Sequence, residues 1–159
     1  MELYFLRHGV AANHGPPGTG DAGRPLTPEG IEKMTAAARG LRRLDLRLDL
    51  LISSPLVRAR ETAAIVGRAL GLEPQIAPAL SPGCDTARLR ALLAAQGGAG
   101  RVMVVGHEPD FSTMVGDLTG AHIRMKKGGL ALVELPTPEG DGILVWLMTS
   151  RVLRAAGRD

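Results

Sequence analysis

The sequence predicts an α/β fold: three layers, α/β/α, built on one mixed, mostly parallel central sheet with an antiparallel C-terminal strand pair. Three observations carry this. Short apolar runs alternate with amphipathic stretches along most of the chain, as they do where buried strands are joined by crossover helices. Two runs, Leu3-Tyr4-Phe5-Leu6 and Val102-Met103-Val104-Val105, pass abruptly into polar, Gly-flanked residues, the mark of a buried parallel strand whose carboxyl end opens into a crevice. Near the end, residues 130–135 and 142–147 read as two strands joined by Pro138-Glu139-Gly140-Asp141-Gly142, a connection too short for a parallel crossover.

Each element has a local cause. After the first strand, residues 9–26 are rich in Gly and Pro and are expected to form a loop. Thr27 is the predicted N-cap of a helix with Pro28 at its first position, and Ile31, Met34, Ala38 and Leu41 supply its apolar stripe. Leu50-Leu51-Ile52 is a second buried strand. Ser53-Ser54-Pro55 repeats the cap-then-proline device for a helix to about Leu70, closed by Gly71. A short extended piece at Gln75-Ile76 leads to a loop over 81–85, then a helix over 86–95. Gly97-Gly98-Ala99-Gly100 turns into the second histidine-bearing strand, and another helix runs from Pro109 to about Leu118.

Composition bounds the function. The 159 residues are expected to form one domain, 1–159, with 45% hydrophobic and 22% charged residues. No apolar run approaches the roughly 18 residues that cross a bilayer, and no signal-peptide pattern precedes the first strand, so a cytoplasmic protein with no membrane association is expected. The single cysteine, Cys84, excludes an internal disulfide and a thiolate metal cluster. One Trp, one Tyr and two Phe are too few for a base-stacking platform, so no nucleic-acid partner is expected.

The chemistry lies at the two strand ends. Arg7-His8-Gly9 and Gly106-His107-Glu108-Pro109 each deliver a histidine to the sheet edge where ligands bind in open α/β folds. Arg58, in the first turn of a helix that follows a strand, belongs to the same edge. Two guanidiniums and two imidazoles around one point suit a phosphoryl group, because arginines grip its oxygens in pairs and neutral imidazole is a good nucleophile for phosphorus. Positioning and charge neutralisation supply most of the catalysis in phosphoryl transfer, so no metal or other cofactor is required.

These residues resemble the histidine phosphatase (phosphoglycerate mutase-like) superfamily. The Arg7-His8-Gly9 signature is followed, in that family's order, by Arg24-Pro25-Leu26-Thr27-Pro28-Glu29-Gly30, Ser53-Ser54-Pro55-Leu56-Val57-Arg58-Ala59 with Thr62-Ala63, and Val105-Gly106-His107-Glu108-Pro109-Asp110. The shortness of the chain and Leu80-Ser81-Pro82-Gly83-Cys84-Asp85 resemble the branch of small phosphohistidine phosphatases called SixA. The resemblance implies a phosphoenzyme mechanism: His8 attacks phosphorus, Arg7, Arg58 and His107 hold the phosphoryl oxygens, and water releases phosphate. It implies a phosphorylated protein as substrate, with a histidine-containing phosphotransfer domain as its expected bearer.

Two places depart from the family pattern. Asn13 and His14 lie five and six positions after His8, where many members carry one polar residue at the sixth, and neither is assigned. For the general acid, Asp85 and Asp21 compete. Asp85 is equally readable as a helix cap, Asp21 as a structural partner of Arg24, and Arg24 itself as a substrate contact. Residues 80–101 leave room for one loop and one helix and none for a lid, which predicts an open cleft. Lys126-Lys127 reads as a charged turn or as a contact for an acidic partner. Three other functions compete: a small-molecule phosphomonoesterase or mutase, a non-catalytic phospho-binding module, and a metal hydrolase using His8, His107 and Asp110.

Overall fold

The computed structural model describes residues 1–137 and 139–158. Its centre is a six-stranded sheet in the order β3-β2-β4-β1-β5-β6, formed by β1 (Glu2–Arg7), β2 (Leu50–Ser53), β3 (Gln75–Ile76), β4 (Arg101–Gly106), β5 (Leu130–Glu134) and β6 (Ile143–Met148). β1, β2, β3 and β4 are mutually parallel, and β5 is antiparallel to both β1 and β6. The expected mixed sheet and antiparallel C-terminal pair are therefore present. Pro138, in the connection between the last two strands, lies outside the described residues.

Helices cover both faces. α1 (Pro28–Arg43), α2 (Val57–Leu70) and the C-terminal α5 (Ser150–Ala156) close one apolar layer around Leu6, Leu51 and Met103. On the other face, α3 (Thr86–Ala94) and α4 (Asp110–Thr119) close a second layer around Phe5, Ile52 and Val104. Successive strand residues point to opposite faces, so the inner parts of β1 and β4, residues 3–6 and 102–105, with both faces covered, are apolar without interruption. In the second layer the Phe5 and Phe111 rings meet edge to face at 5.1 Å, a favoured aromatic geometry.

Several local expectations hold and three need correction. Thr27 caps α1, its Oγ1 accepting from Gly30 N at 2.9 Å, with Pro28 in the first turn. Gly71 ends α2 in the left-handed conformation at φ 73°, which glycine enters without a Cβ penalty. Ile31, assigned to the buried stripe of α1, is 45% exposed; Met34, Ala37, Ala38 and Leu41 form the stripe. The buried face of α1 is the one that packs on α5 and α2, and Gly40 lies so close to the Leu153 carbonyl of α5 that a Cβ there would clash with it. Ser54 is not the cap of α2: the helix starts at Val57 after Leu56, with no side-chain cap. α5 was not among the expected elements; it buries Leu153 against α1.

Candidate active site

Register assembles the site. Arg7 pairs with Gly106 at the ends of β1 and β4, and Ser53 pairs with Val105 at the ends of β2 and β4. The next residues out are therefore neighbours: His8 N donates to Gly106 O at 3.1 Å, and Ser54 N donates to Val105 O at 2.9 Å. With β4 between β2 and β1, His107 emerges between Ser54 and His8. The two imidazole centroids lie 5.4 Å apart at 54°. Gly106, between them in the register, lets Phe111 pack against the end of β4, since a Cβ there would stand 2.6 Å from the Phe111 ring.

The hydrogen bonds fix which nitrogen of His8 is free. Its Nδ1 stands 2.7 Å from Gly9 O, and a carbonyl only accepts, so Nδ1 carries the proton. The lone pair then sits on Nε2, where it accepts from Arg58 Nε at 3.3 Å. Gly9 itself is held by a bond from its N to Thr62 Oγ1 at 3.1 Å, and the Thr62 hydroxyl donates to Arg58 O at 2.7 Å. One threonine thus ties the residue after His8 to the helix turn that carries Arg58.

His107 has the complementary arrangement. Its Nε2 lies 2.7 Å from Ser54 Oγ, which also accepts from Leu56 N at 3.3 Å. A serine hydroxyl keeps a second lone pair after accepting from Leu56 N, so the bond follows the His107 tautomer: Ser54 donates to Nε2 when the neutral ring is protonated on Nδ1, and accepts when it is protonated on Nε2. That Nδ1, like Arg7 Nε, is buried without a hydrogen-bond partner among the described residues. Orphaned buried polar atoms are rare in folded proteins and mark places where a ligand can satisfy them. Arg7 is anchored at its other edge, Nη1 donating to Met125 O at 2.8 Å.

Electrostatics keep both rings neutral. Burial, then the positive charge of its neighbours, pushes the His8 pKa down to about 3, against the opposing bond to Gly9. Burial and then Arg58 push His107 down to about 4. His8, Arg58 and His107 are 6%, 5% and 4% exposed. Fixed guanidinium charge and imidazole lone pairs thus coexist in one buried spot, an environment suited to an anion with a reactive centre.

Asp21 joins the cluster from the long loop, in a 3-10 turn spanning Asp21–Gly23. Its Oδ2 accepts from Arg58 Nη2 at 3.0 Å, its backbone O from Arg58 Nη1 at 2.8 Å, and its Oδ1 from Arg24 Nη1 at 2.8 Å. The bonds from Arg24 and then Arg58 lower its pKa, so it is held as a carboxylate. Arg24 is fixed in turn by Nε donating to Ala12 O at 2.7 Å. Beside them Asn13, His14, Asp21 and Arg24 line an open groove of about 530 Å³.

Of the residues singled out in the sequence, Arg7, His8, Arg58, His107, Asp21 and Arg24 thus form one connected set. Asp85 does not join it. Its Oδ1 accepts from Arg88 N at 2.8 Å and caps α3, and among the described residues no hydrogen bond or ion pair links it to the histidines. Asp110 accepts from Gly83 N at 2.8 Å, fastening the loop before α3 to the start of α4. Among the described residues no group of three His, Cys, Asp or Glu is arranged to hold a metal ion. Ser54 and Thr62 lay inside quoted motifs, but their roles as braces depend on strand order, which no single motif encodes.

Fold and site define a phosphatase of the histidine phosphatase class. The chain belongs to the histidine phosphatase superfamily: residues 3–81 match the model of its branch 1. It is 36% identical over 137 residues, 82% of either chain, to an uncharacterized protein of Picosynechococcus sp. (strain ATCC 27264 / PCC 7002 / PR-6). It is 28% identical over 161 residues, 98% of either chain, to the phosphohistidine phosphatase SixA of Escherichia coli (strain K12). Its structure is similar to that of the protein histidine phosphatase SixA complexed with tungstate, with a TM-score of 0.86 and 28% identity over 96% of this chain and 99% of that one. No helix among the described residues is long and apolar enough to cross a membrane.

Proposed function

We propose that this phosphatase hydrolyses phosphohistidine on a protein, that the span 1–159 acts as one catalytic domain, and that His8 Nε2 carries the phosphoryl group between substrate and water. One observation carries the choice of substrate: Asp21, the carboxylate hydrogen-bonded to Arg58, is held ionised by two arginines. A site that grips a phosphoryl group strongly but keeps its carboxylate deprotonated is poor at protonating an alkoxide leaving group. A phosphohistidine needs no such help, because its ring, protonated on the other nitrogen, leaves as neutral imidazole.

The steps balance without an added acid. Substrate enters as a phosphoimidazolium, and Arg58 Nε transfers its hydrogen bond from His8 Nε2 to a phosphoryl oxygen. The freed lone pair attacks phosphorus, the new Nε2–P bond forms, and the P–N bond to the substrate ring breaks. His8 then bears positive charge, and Gly9 O, already accepting Nδ1–H, stabilises it. Arg7, Arg58 and His107, in the tautomer protonated on Nδ1, neutralise charge that spreads over the equatorial oxygens, where positioned donors are most effective. Water attacks the phosphoryl group in line, and the Nε2–P bond breaks. His8 leaves as the neutral imidazole it began as, and dihydrogen phosphate carries both protons of the water. That a relative with 28% identity has been solved with tungstate, a tetrahedral oxyanion, supports this reading.

A turnover panel tests it. A phosphohistidine peptide is expected to be hydrolysed with far higher kcat/KM than phosphoglycerate or a sugar phosphate; the reverse order overturns the substrate. Loss of a general acid costs about 10²–10⁴-fold. Asp21→Asn is expected to lose less than that on phosphohistidine, and a loss inside that range would make Asp21 the acid.

A further inference from the structure

On that phosphoprotein reading, we infer that residues 122–127 form a docking edge for a substrate whose surface around the phosphohistidine is acidic. The segment is fastened to the site by its backbone. Met125 O accepts from Arg7 Nη1 at 2.8 Å, Gly128 N donates to Arg7 O and His8 O at 3.1 Å each, and Arg7 N donates to Gly129 O at 3.0 Å. Gly128 reaches the strand end at φ 69°, a conformation open to glycine at no steric cost.

Anchoring decides which side chains face outward. Met125 is fully buried and Ile123 half-buried, while His122, Arg124, Lys126 and Lys127 are exposed. Arg124 and Lys126 flank the residue that Arg7 grips, so their backbones lie about 4 Å from it along the chain. None of the Arg124, Lys126 and Lys127 side chains has an ion-pair or hydrogen-bond partner among the described residues. Glu108, the carboxylate acting on Arg7, is spent on Ser112, whose Oγ also accepts from Met125 N.

Arg7 and Arg58 already serve the phosphoryl group itself, while three unneutralised cations stand on the segment that Arg7 grips. They add a field that draws negative charge toward the site and favours partners bearing it around the reacting residue. The groove by Asn13, His14 and Arg24 flanks the same cluster through Asp21, leaving space for the backbone that carries the phosphohistidine. The partner chemistry is thus a phosphohistidine surrounded by Asp or Glu.

The test uses two synthetic peptides with one phosphohistidine each, flanked by four Glu or by four Ser, together with free phosphohistidine. The wild type is expected to hydrolyse the Glu-flanked peptide with kcat/KM about tenfold above the Ser-flanked one at low salt, the preference disappearing at high salt. The triple variant Arg124→Ser, Lys126→Ser, Lys127→Ser is expected to lose the preference and to keep free phosphohistidine turnover. A wild type that treats both peptides alike overturns the docking edge and leaves the phosphohistidine reading standing. A preference that survives in the triple variant places docking elsewhere and also overturns it. Failure to hydrolyse any of the three overturns the phosphohistidine reading itself, and the docking edge with it.

Discussion

The two ends of strands β1 and β4 both carry polar and charged side chains and treat them in opposite ways. At the amino end, polar groups are paired off. Asp49 accepts from Gly100 N and Arg101 N at 3.0 and 2.8 Å and faces the Arg101 guanidinium. Tyr4 OH donates to Glu2 at 2.7 Å, and burial with Glu2 holds that phenol well above its usual range. At the carboxyl end, Arg7 Nε and His107 Nδ1 stay without partners, and two imidazoles are packed among arginines that resist their protonation. One end uses charge to hold the fold together; the other keeps charge and lone pairs available at the expense of folding. The sheet supports this because its parallel strands send every carboxyl end to the same edge.

The largest effect expected from this contrast is at Arg58. Arg58→Ala removes the donor that touches His8 and should lower kcat/KM by about 10²-fold or more, the scale of one positioned transition-state donor, while the melting temperature hardly moves. Near-normal turnover would place Arg58 outside the chemistry. Next comes the close packing at the end of β4: Gly106→Ala drives a methyl group into the Phe111 ring and should cost about 1–3 kcal/mol of stability, as overpacking does, read from chemical denaturation.

pH separates the two ends further. His8 and His107 titrate at about 3 and 4 in the folded protein, against about 6.5 for unfolded imidazole. Between those values the unfolded chain binds protons that the folded one does not, so stability should fall as pH drops from 7 toward 4. Over that range folded His8 stays neutral, so the acid limb of kcat/KM should lie well below pH 6.5. A limb centred at 6.5 would mean the rings are not shielded as described. The smallest effect belongs to the amino end: Asp49→Ala should cost about 1 kcal/mol, the scale of a lost hydrogen bond, with turnover unchanged.

What the sequence disclosed follows the same division. Strand ends announce themselves, because apolar runs stop at Arg7-His8 and Gly106-His107, and the order of motifs places Arg58 nearby. The braces were hidden. Ser54 looked like a helix cap because Ser-Pro commonly starts helices, yet its hydroxyl meets His107 across the β2–β4 pair, a contact that depends on strand order. Asp85 reads from sequence as acid or as cap, and only its bond from Arg88 N makes it the cap of α3. Asp21 and Arg58 are 37 positions apart, beyond any local pattern. α5 escaped notice because seven residues burying Leu153 carry too little periodicity to stand out.

In the proposed reaction, His8 Nε2 carries the phosphoryl group. The direct measurement is to mix the enzyme with a ³²P-labelled phosphohistidine peptide, stop the reaction in alkali, and count label on the protein. The wild type should hold an alkali-stable, acid-labile phosphoryl group, and His8→Ala should hold none. Equal labelling of His8→Ala would contradict the assignment.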